Sequence, residues 1–196
     1  MKKLVDGRWL YVLAGILNIA VGVMFYAVNL QPQPAQLATI TAVVHKPQLP
    51  KVRVVPATTG VPTRIVIPSL KIDLVVGVGS FNAASRSWTI DASRAFYADI
   101  SLPANNSNGR TLIYGHAQWQ VFGNLPDIRP QAEAIVYTDS GYEFHYSYQS
   151  RTDVVPTDTT IFSASGPPTL VLQTCSGNWD AYRTMYYFKF EALNKV

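Results

Sequence analysis

Three textures succeed one another along the chain. From Trp9 to Val28 the residues are apolar all round, with Asn18 the only strongly polar side chain among them. A helix of about 20 residues spans about 30 Å, the thickness of a bilayer's hydrocarbon core. The missing polar face argues against a buried amphipathic helix. Residues 31–62 follow, interrupted by Pro32, Pro34, Pro47, Pro50, Pro56 and Pro62 and free of acidic residues. That texture predicts an extended spacer, in which a short strand over Val52–Val55 could still dock on the domain beyond. From Thr63 onward short β-rich runs alternate with turn residues. Eight are expected as strands: 64–69, 72–78, 87–91, 111–117, 134–139, 142–149, 169–175 and 184–193. Only residues 93–99 and 119–124 suggest helix. Many short, evenly spaced strands predict an all-β barrel or sandwich, preceded by one N-terminal transmembrane helix.

Charge gives the orientation. Six of the sixteen basic residues, Lys2, Lys3, Arg8, Lys46, Lys51 and Arg53, fall before residue 61, against Asp6 alone of the twelve acidic ones. The remainder is nearly neutral, so the net charge of +4 is no sign of a nucleic-acid surface. Basic residues precede the apolar run and none follows it until Lys46, which places the N-terminus in the cytoplasm and the rest outside. Trp9, Tyr11 and Tyr26 suit the two headgroup levels. A cleaved signal peptide has a shorter apolar core and a small-x-small site, and NLQPQPAQLAT offers no clear one. The expected organisation is a cytoplasmic segment 1–8, a signal anchor 9–30, a spacer 31–62 and an extracellular β domain 63–196. A chain 48% hydrophobic and 14% charged is not disordered.

One cysteine excludes disulfides and multi-cysteine metal sites, and no cofactor is expected. Free cysteines are usually small buried hydrophobes. Cys175, however, ends the apolar strand TLVLQTC and is followed at once by Ser176, Gly177 and Asn178, a position suited to a cleft. An unpaired thiol outside the cell is also an oxidation liability. As a nucleophile, Cys175 needs a proton-transfer partner and donors for the oxyanion formed on a carbonyl. His45 lies in the spacer. His145 falls on the polar face of YEFHYSYQ and is expected to be a solvated surface residue. His116 ends the strand TLIYG as Cys175 ends its own, and it is the preferred partner. Arg183 opens the next strand eight residues after Cys175. A hairpin-like connection would set the two side by side, with the guanidinium available to an oxyanion. The bland alternative pairs Arg183 with Asp180 on the surface.

Together, a strand ending in His116, the run T169–L170–V171–L172–Q173–T174–C175 and an arginine opening the next strand resemble the sortases, membrane-anchored cysteine transpeptidases of bacterial surfaces. RIVIPSLKIDLVV and VVPTD (154–158) resemble other parts of that family, and the likeness covers about residues 62–193. It implies an eight-stranded β-barrel with short helices. It further implies Cys175 as nucleophile, His116 as general acid/base, Arg183 as oxyanion or substrate stabiliser and Thr174 in the same pocket. The implied reaction cleaves a C-terminal signal similar to Leu-Pro-x-Thr-Gly and transfers the secreted protein to an amine, on a peptidoglycan precursor or a pilin lysine. Val154, Val155, Ile161 and Phe162 are candidate groove residues. No acidic calcium cluster is recognisable. The absence of a second apolar span and the short loops favour a housekeeping-like or single-anchor subclass. The alternatives are another cysteine acyl-transferase acting on peptidoglycan, or a non-catalytic wall-binding or adhesion domain. An L,D-transpeptidase would show His-Gly-Cys, and a papain-like hydrolase would place its cysteine before its histidine.

Overall fold

Strict alternation of buried and exposed positions fixes the first long strands. In Ile72–Gly79 (β3) Ile72, Leu74 and Val76 face inward while Asp73 and Val75 face solvent, the period-two signature of a sheet with one wet face. Glu133–Thr138 (β9) and the first half of Tyr142–Val154 (β10) behave likewise. The computed structural model describes residues 56–163 and 165–196, together with Met24 and Tyr26. Those two positions apart, segment 1–8, the apolar run, His45, the Val52–Val55 strand and the spacer before residue 56 lie outside the described residues. Among the described residues no helix is long and apolar enough to cross a membrane.

Eight strands close into a barrel. With Pro62–Ile67 (β2), Ala95–Ala98 (β6), Arg110–Tyr114 (β8), Thr169–Ser176 (β11) and Tyr182–Lys195 (β12), the order is β10-β12-β11-β8-β6-β3-β2-β9. The pairs β3–β6 and β8–β11 are parallel and the other six antiparallel. Closure leaves no free edge. The interior is filled by Ile65, Phe144, Tyr146, Leu170, Leu172, Tyr186, Phe188 and their neighbours. Thr59–Gly60 (β1) pairs with Ala104–Asn105 (β7) beside the barrel.

Two expectations need correcting, and they offset one another in the strand count. Residues 93–99 are not helical: β6 lies there, as a barrel strand. Its four residues are all buried, Ala95 and Tyr97 in the barrel core and Phe96 and Ala98 in a second apolar cluster outside it. A strand covered on both faces shows no alternation, and a short apolar run then cannot be told from helix. Conversely, of SWTID only Ser87–Trp88 (β5) is strand, and it pairs with Phe81–Asn82 (β4) in a hairpin outside the barrel. Residues 119–124 form turns rather than helix. Met24 and Tyr26 are helical, and within the β domain the described α-helix is Thr160–Ser163 (α1).

The second cluster decides where a site can form. Outward-facing Phe96, Leu112, Tyr114, Val171 and Met185 on β6, β8, β11 and β12 are covered by Ile161 of α1, with Trp88 and Phe162 packed against them. Elsewhere the outer face is wet. Here it is roofed, and a roof over a sheet face leaves clefts at its edges.

Candidate active site

Backbone register brings the candidate residues to one end of the barrel. Cys175 and Arg183 are direct partners across β11 and β12. The intervening turn contains Gly177 at φ 75°, Trp179 at φ 58° and Asp180 at φ 56°. Two consecutive non-glycine residues in the left-handed region cost about 1–2 kcal/mol each. That tight conformation lets β12 begin directly opposite the end of β11. On the other side β8 runs parallel to β11, with Tyr114 opposite Gln173 and Gly115 N–H donating to the Gln173 carbonyl at 3.1 Å. Two further residues along each strand carry His116 and Cys175 to the same barrel end.

Cys175 is partly buried and unpaired. Burial pushes its thiol up, Arg183 pulls it back down and Asp180 pushes it up again, with a net rise. The resting sulfur is therefore a thiol at neutral pH, and generating the thiolate requires a base. Arg183 is half-buried. Its Nη1 donates to the carbonyls of Asp180 and Tyr182, both at 3.0 Å. The surface pairing with Asp180 is thus made to the backbone and not to the carboxylate. Among the described residues the other guanidinium N–H groups make no hydrogen bond, and Arg183 lines a groove.

That groove has a volume of about 870 Å³ and runs from Cys175, Thr174 and Arg183 over Tyr114 to the β4–β5 hairpin. Its far wall is aromatic. The Trp88 ring lies 5.5 Å from Phe81, 5.4 Å from Tyr114 and 6.0 Å from Phe162, centroid to centroid. Tyr114 Oη donates to the Thr89 carbonyl at 2.7 Å and ties the floor to the hairpin. Gly79 makes this possible, because a Cβ there would collide with the Tyr114 hydroxyl. Of the four expected groove residues, Val154 and Phe162 line it. Val155 is exposed to solvent, and Ile161, on α1, is buried against the outer face of the sheet.

His116 is half-buried and lines neither this groove nor the smaller cavity beside it. Its carbonyl accepts the Phe122 N–H at 3.1 Å, so the loop after β8 folds back beneath it. Gly115 allows that return, since a Cβ there would lie 2.7 Å from Val121. Asp91 is held low chiefly by Ser93, whose hydroxyl and N–H both donate to it, with a smaller contribution from His116. A carboxylate thus lies within electrostatic range of this imidazole.

Thr174 is 4% exposed, and its Oγ1 has no hydrogen-bond partner among the described residues. It faces inward at the barrel mouth, level with Thr184. The expectation for His145 is corrected. Only 19% of its side chain is exposed, and it is clamped between Glu133 at 2.7 Å and Glu143 at 3.1 Å. Glu133 comes from the neighbouring β9, and Asn194 of the neighbouring β12 lies 3.0 Å from Nε2, partners that a sequence pattern confined to one strand does not show. No group of described residues forms a metal site. The sequence reading missed the hairpin wall, Phe81 and Trp88. The two aromatics flank an Ala- and Ser-rich stretch, residues 82–87, and only that flanking could have pointed to them.

The sortase-domain family model matches residues 65–190. Among solved structures, sortase A of Listeria monocytogenes superposes with a TM-score of 0.55 at 17% identity, over 71% of this chain and 92% of that one. Sortase E1 of Streptomyces coelicolor, solved with a tripeptide in its active site, gives 0.55 at 15%, over 70% and 91%. Sortase C-3 of Streptococcus pneumoniae gives 0.56 at 17%, over 70% and 66%. At such identities the likeness speaks for the fold alone, and it spans several subclasses equally. No curated protein sequence matches the chain.

Proposed function

Since the chain belongs to the sortase family of cysteine transpeptidases, we propose that it cleaves a sorting signal similar to Leu-Pro-x-Thr-Gly and passes the acyl group to an amine. Cys175 is the nucleophile, His116 the general acid/base, and Arg183 the donor to the oxyanion or to a substrate carbonyl, with Thr174 beside them. The observation that carries this reading is the register that pairs Cys175 with Arg183 at the head of one groove.

The chemistry follows from the state of the thiol. Because burial keeps Cys175 protonated, His116 takes the proton as the sulfur attacks the Thr carbonyl carbon. The oxyanion that forms accepts from Arg183. Collapse breaks the Thr–Gly C–N bond, and the leaving nitrogen takes the proton from His116. The thioester on Cys175 then reacts with an acceptor amine. A new C–N bond forms, the C–S bond breaks, and the sulfur leaves. The roofed aromatic groove suits an apolar extended segment and limits water near the thioester. Residues 9–30 anchor the chain in the membrane; the spacer expected over 31–62 ends before Thr58, since Thr59–Gly60 pairs with β7 and Pro62 opens β2. The acceptor is an amine of a peptidoglycan precursor or a pilin lysine.

The test uses the full-length chain with quenched peptides carrying Leu-Pro-x-Thr-Gly and Leu-Ala-x-Thr-Gly cores and with triglycine, products being read by mass. A Cys175-dependent thioester and a triglycine-ligated product are expected, and both vanish in Cys175→Ala. No cleavage of any peptide, together with a Cys175 inert to alkylation until unfolding, would refute the reading in favour of a binding module.

A further inference from the structure

Cys175 opens on two cavities, and cleavage of a sorting signal accounts for only one. The second, about 220 Å³, sits at the barrel mouth beneath the loop that follows His116. Among the described residues the two linings share only Thr174 and Cys175. Its wall is polar and is built by register. Thr184 on β12 stands opposite Thr174 of β11 on one side and Asp153 of β10 on the other. Thr184 Oγ1 lies 2.6 Å from Asp153 Oδ1 and 2.7 Å from Ser176 Oγ. With one proton to give, Thr184 donates to the carboxylate and accepts from Ser176. Asp153 is thereby oriented from below, while its Oδ2 meets no donor among the described residues. Arg151, two residues earlier on the same strand, lies beside the Tyr186 phenol and lines the same cavity. One charge of each sign thus faces this mouth.

The buried Thr174 hydroxyl is the second, independent observation. An unsatisfied buried polar group costs about 1–3 kcal/mol. This one belongs to the residue adjoining the nucleophile, and that residue lines the polar cavity. An arriving N–H would satisfy it.

We propose that this cavity is the acceptor subsite and takes an α-amino group on a short peptide-like chain. The ammonium docks on Asp153 Oδ2, an N–H donates to Thr174 Oγ1, and Arg151 takes a carboxylate or carbonyl oxygen one or two residues further along. The proposal rests on the thioester chemistry given above. The acceptor loses one proton to His116, and from there to solvent. The free amine attacks the thioester carbon, the C–N bond forms as C–S breaks, and the second proton ends on the Cys175 sulfur.

The experiment follows the ratio of ligated to hydrolysed product against acceptor concentration, using the full-length chain and three probes: triglycine, triglycine amide and N-acetyl-triglycine. Triglycine is expected to reach half-maximal ligation at a concentration severalfold below the amide, and the acetylated probe is expected not to compete. Asp153→Asn raises the triglycine requirement at least tenfold, and Arg151→Gln makes acid and amide equivalent. Triglycine is also titrated into Cys175→Ala, with amide shifts expected at Thr174 and Thr184. This arm needs no thioester, so failure of the cleavage reading is distinguishable from failure of the subsite. An unchanged triglycine requirement in a folded Asp153→Asn would overturn the proposal. Should that variant not fold, equal use of acid and amide by the unaltered chain would overturn it, as would the absence of shifts at Thr174 and Thr184.

Discussion

Replacing Trp88 by alanine tests whether aromatic packing alone holds the hairpin that walls the groove. A two-stranded hairpin is marginal by itself in water, and β4–β5 is only two residues per strand. Full truncation of a buried Trp costs about 3–5 kcal/mol. Trp88 is half-buried, so about 2 kcal/mol is expected, with the Phe162 stack alone giving about 0.5–1.5 kcal/mol. The loss falls on hairpin opening, because Trp88 makes no part of the barrel ladder. The Thr89 N–H reports it directly, since it donates to the Ser80 carbonyl at 3.1 Å within this hairpin. Two kcal/mol corresponds to exchange faster by about 30-fold at that amide, while barrel amides such as Leu172 change little. A double-mutant cycle with Phe162→Ala isolates the stack. Less than a threefold change at Thr89 would refute the reasoning. The Tyr114–Thr89 bond would then be the hairpin's real tether.

Other perturbations probe the site and the fold separately. Alkylation of Cys175 in the folded chain should be slow at pH 7 and accelerate as pH rises, because the thiol is held up; Arg183→Gln, which removes the positive charge that lowers it, should move that rise to higher pH. Gly79→Ala should displace Tyr114 and at least halve peptide turnover while leaving barrel circular dichroism intact. His145 is pulled down by burial but lifted more by Glu133 and Glu143, so its folded value lies above the ordinary one of about 6.5. The stabilisation it gives is complete below about pH 6.5 and is lost as pH rises through the folded value. Melting temperature should therefore fall as pH rises above about 6.5, and His145→Gln should flatten that limb.

The strands that alternate were legible from sequence, and those buried on both faces were legible only where they were long. TLVLQTC and TLIYG are continuous apolar runs in parallel strands, and each ended visibly in a turn. AFYA had the same environment in four residues, too few for any period to show, so its neighbours suggested helix. SWTID carried a β-branched and aromatic signal, yet its Trp88 serves a roof rather than a barrel face. Propensity reports that a residue fits a pleated, half-buried surface, without saying which surface.

The same limit divides the site. Cys175, His116 and Arg183 could be proposed because each sits at a strand end, and a strand end next to a turn is a local feature. Closeness of Cys175 to Arg183 also followed locally, from a connection short enough to be one hairpin. Asp153, Arg151 and Thr184 had no such mark. They lie on two strands whose pairing joins residues 31 positions apart, and they converge only because β10 and β12 share a register interrupted by irregularities at His145/Tyr146 and Tyr148/Ser150. Each single-residue slip exchanges the two faces of a strand. Counting alternation along β10 holds through Tyr148 and would have misassigned the faces beyond the extra residue at Gln149. The polar mouth is thus a product of the irregularities, and it could be found only once the barrel was closed.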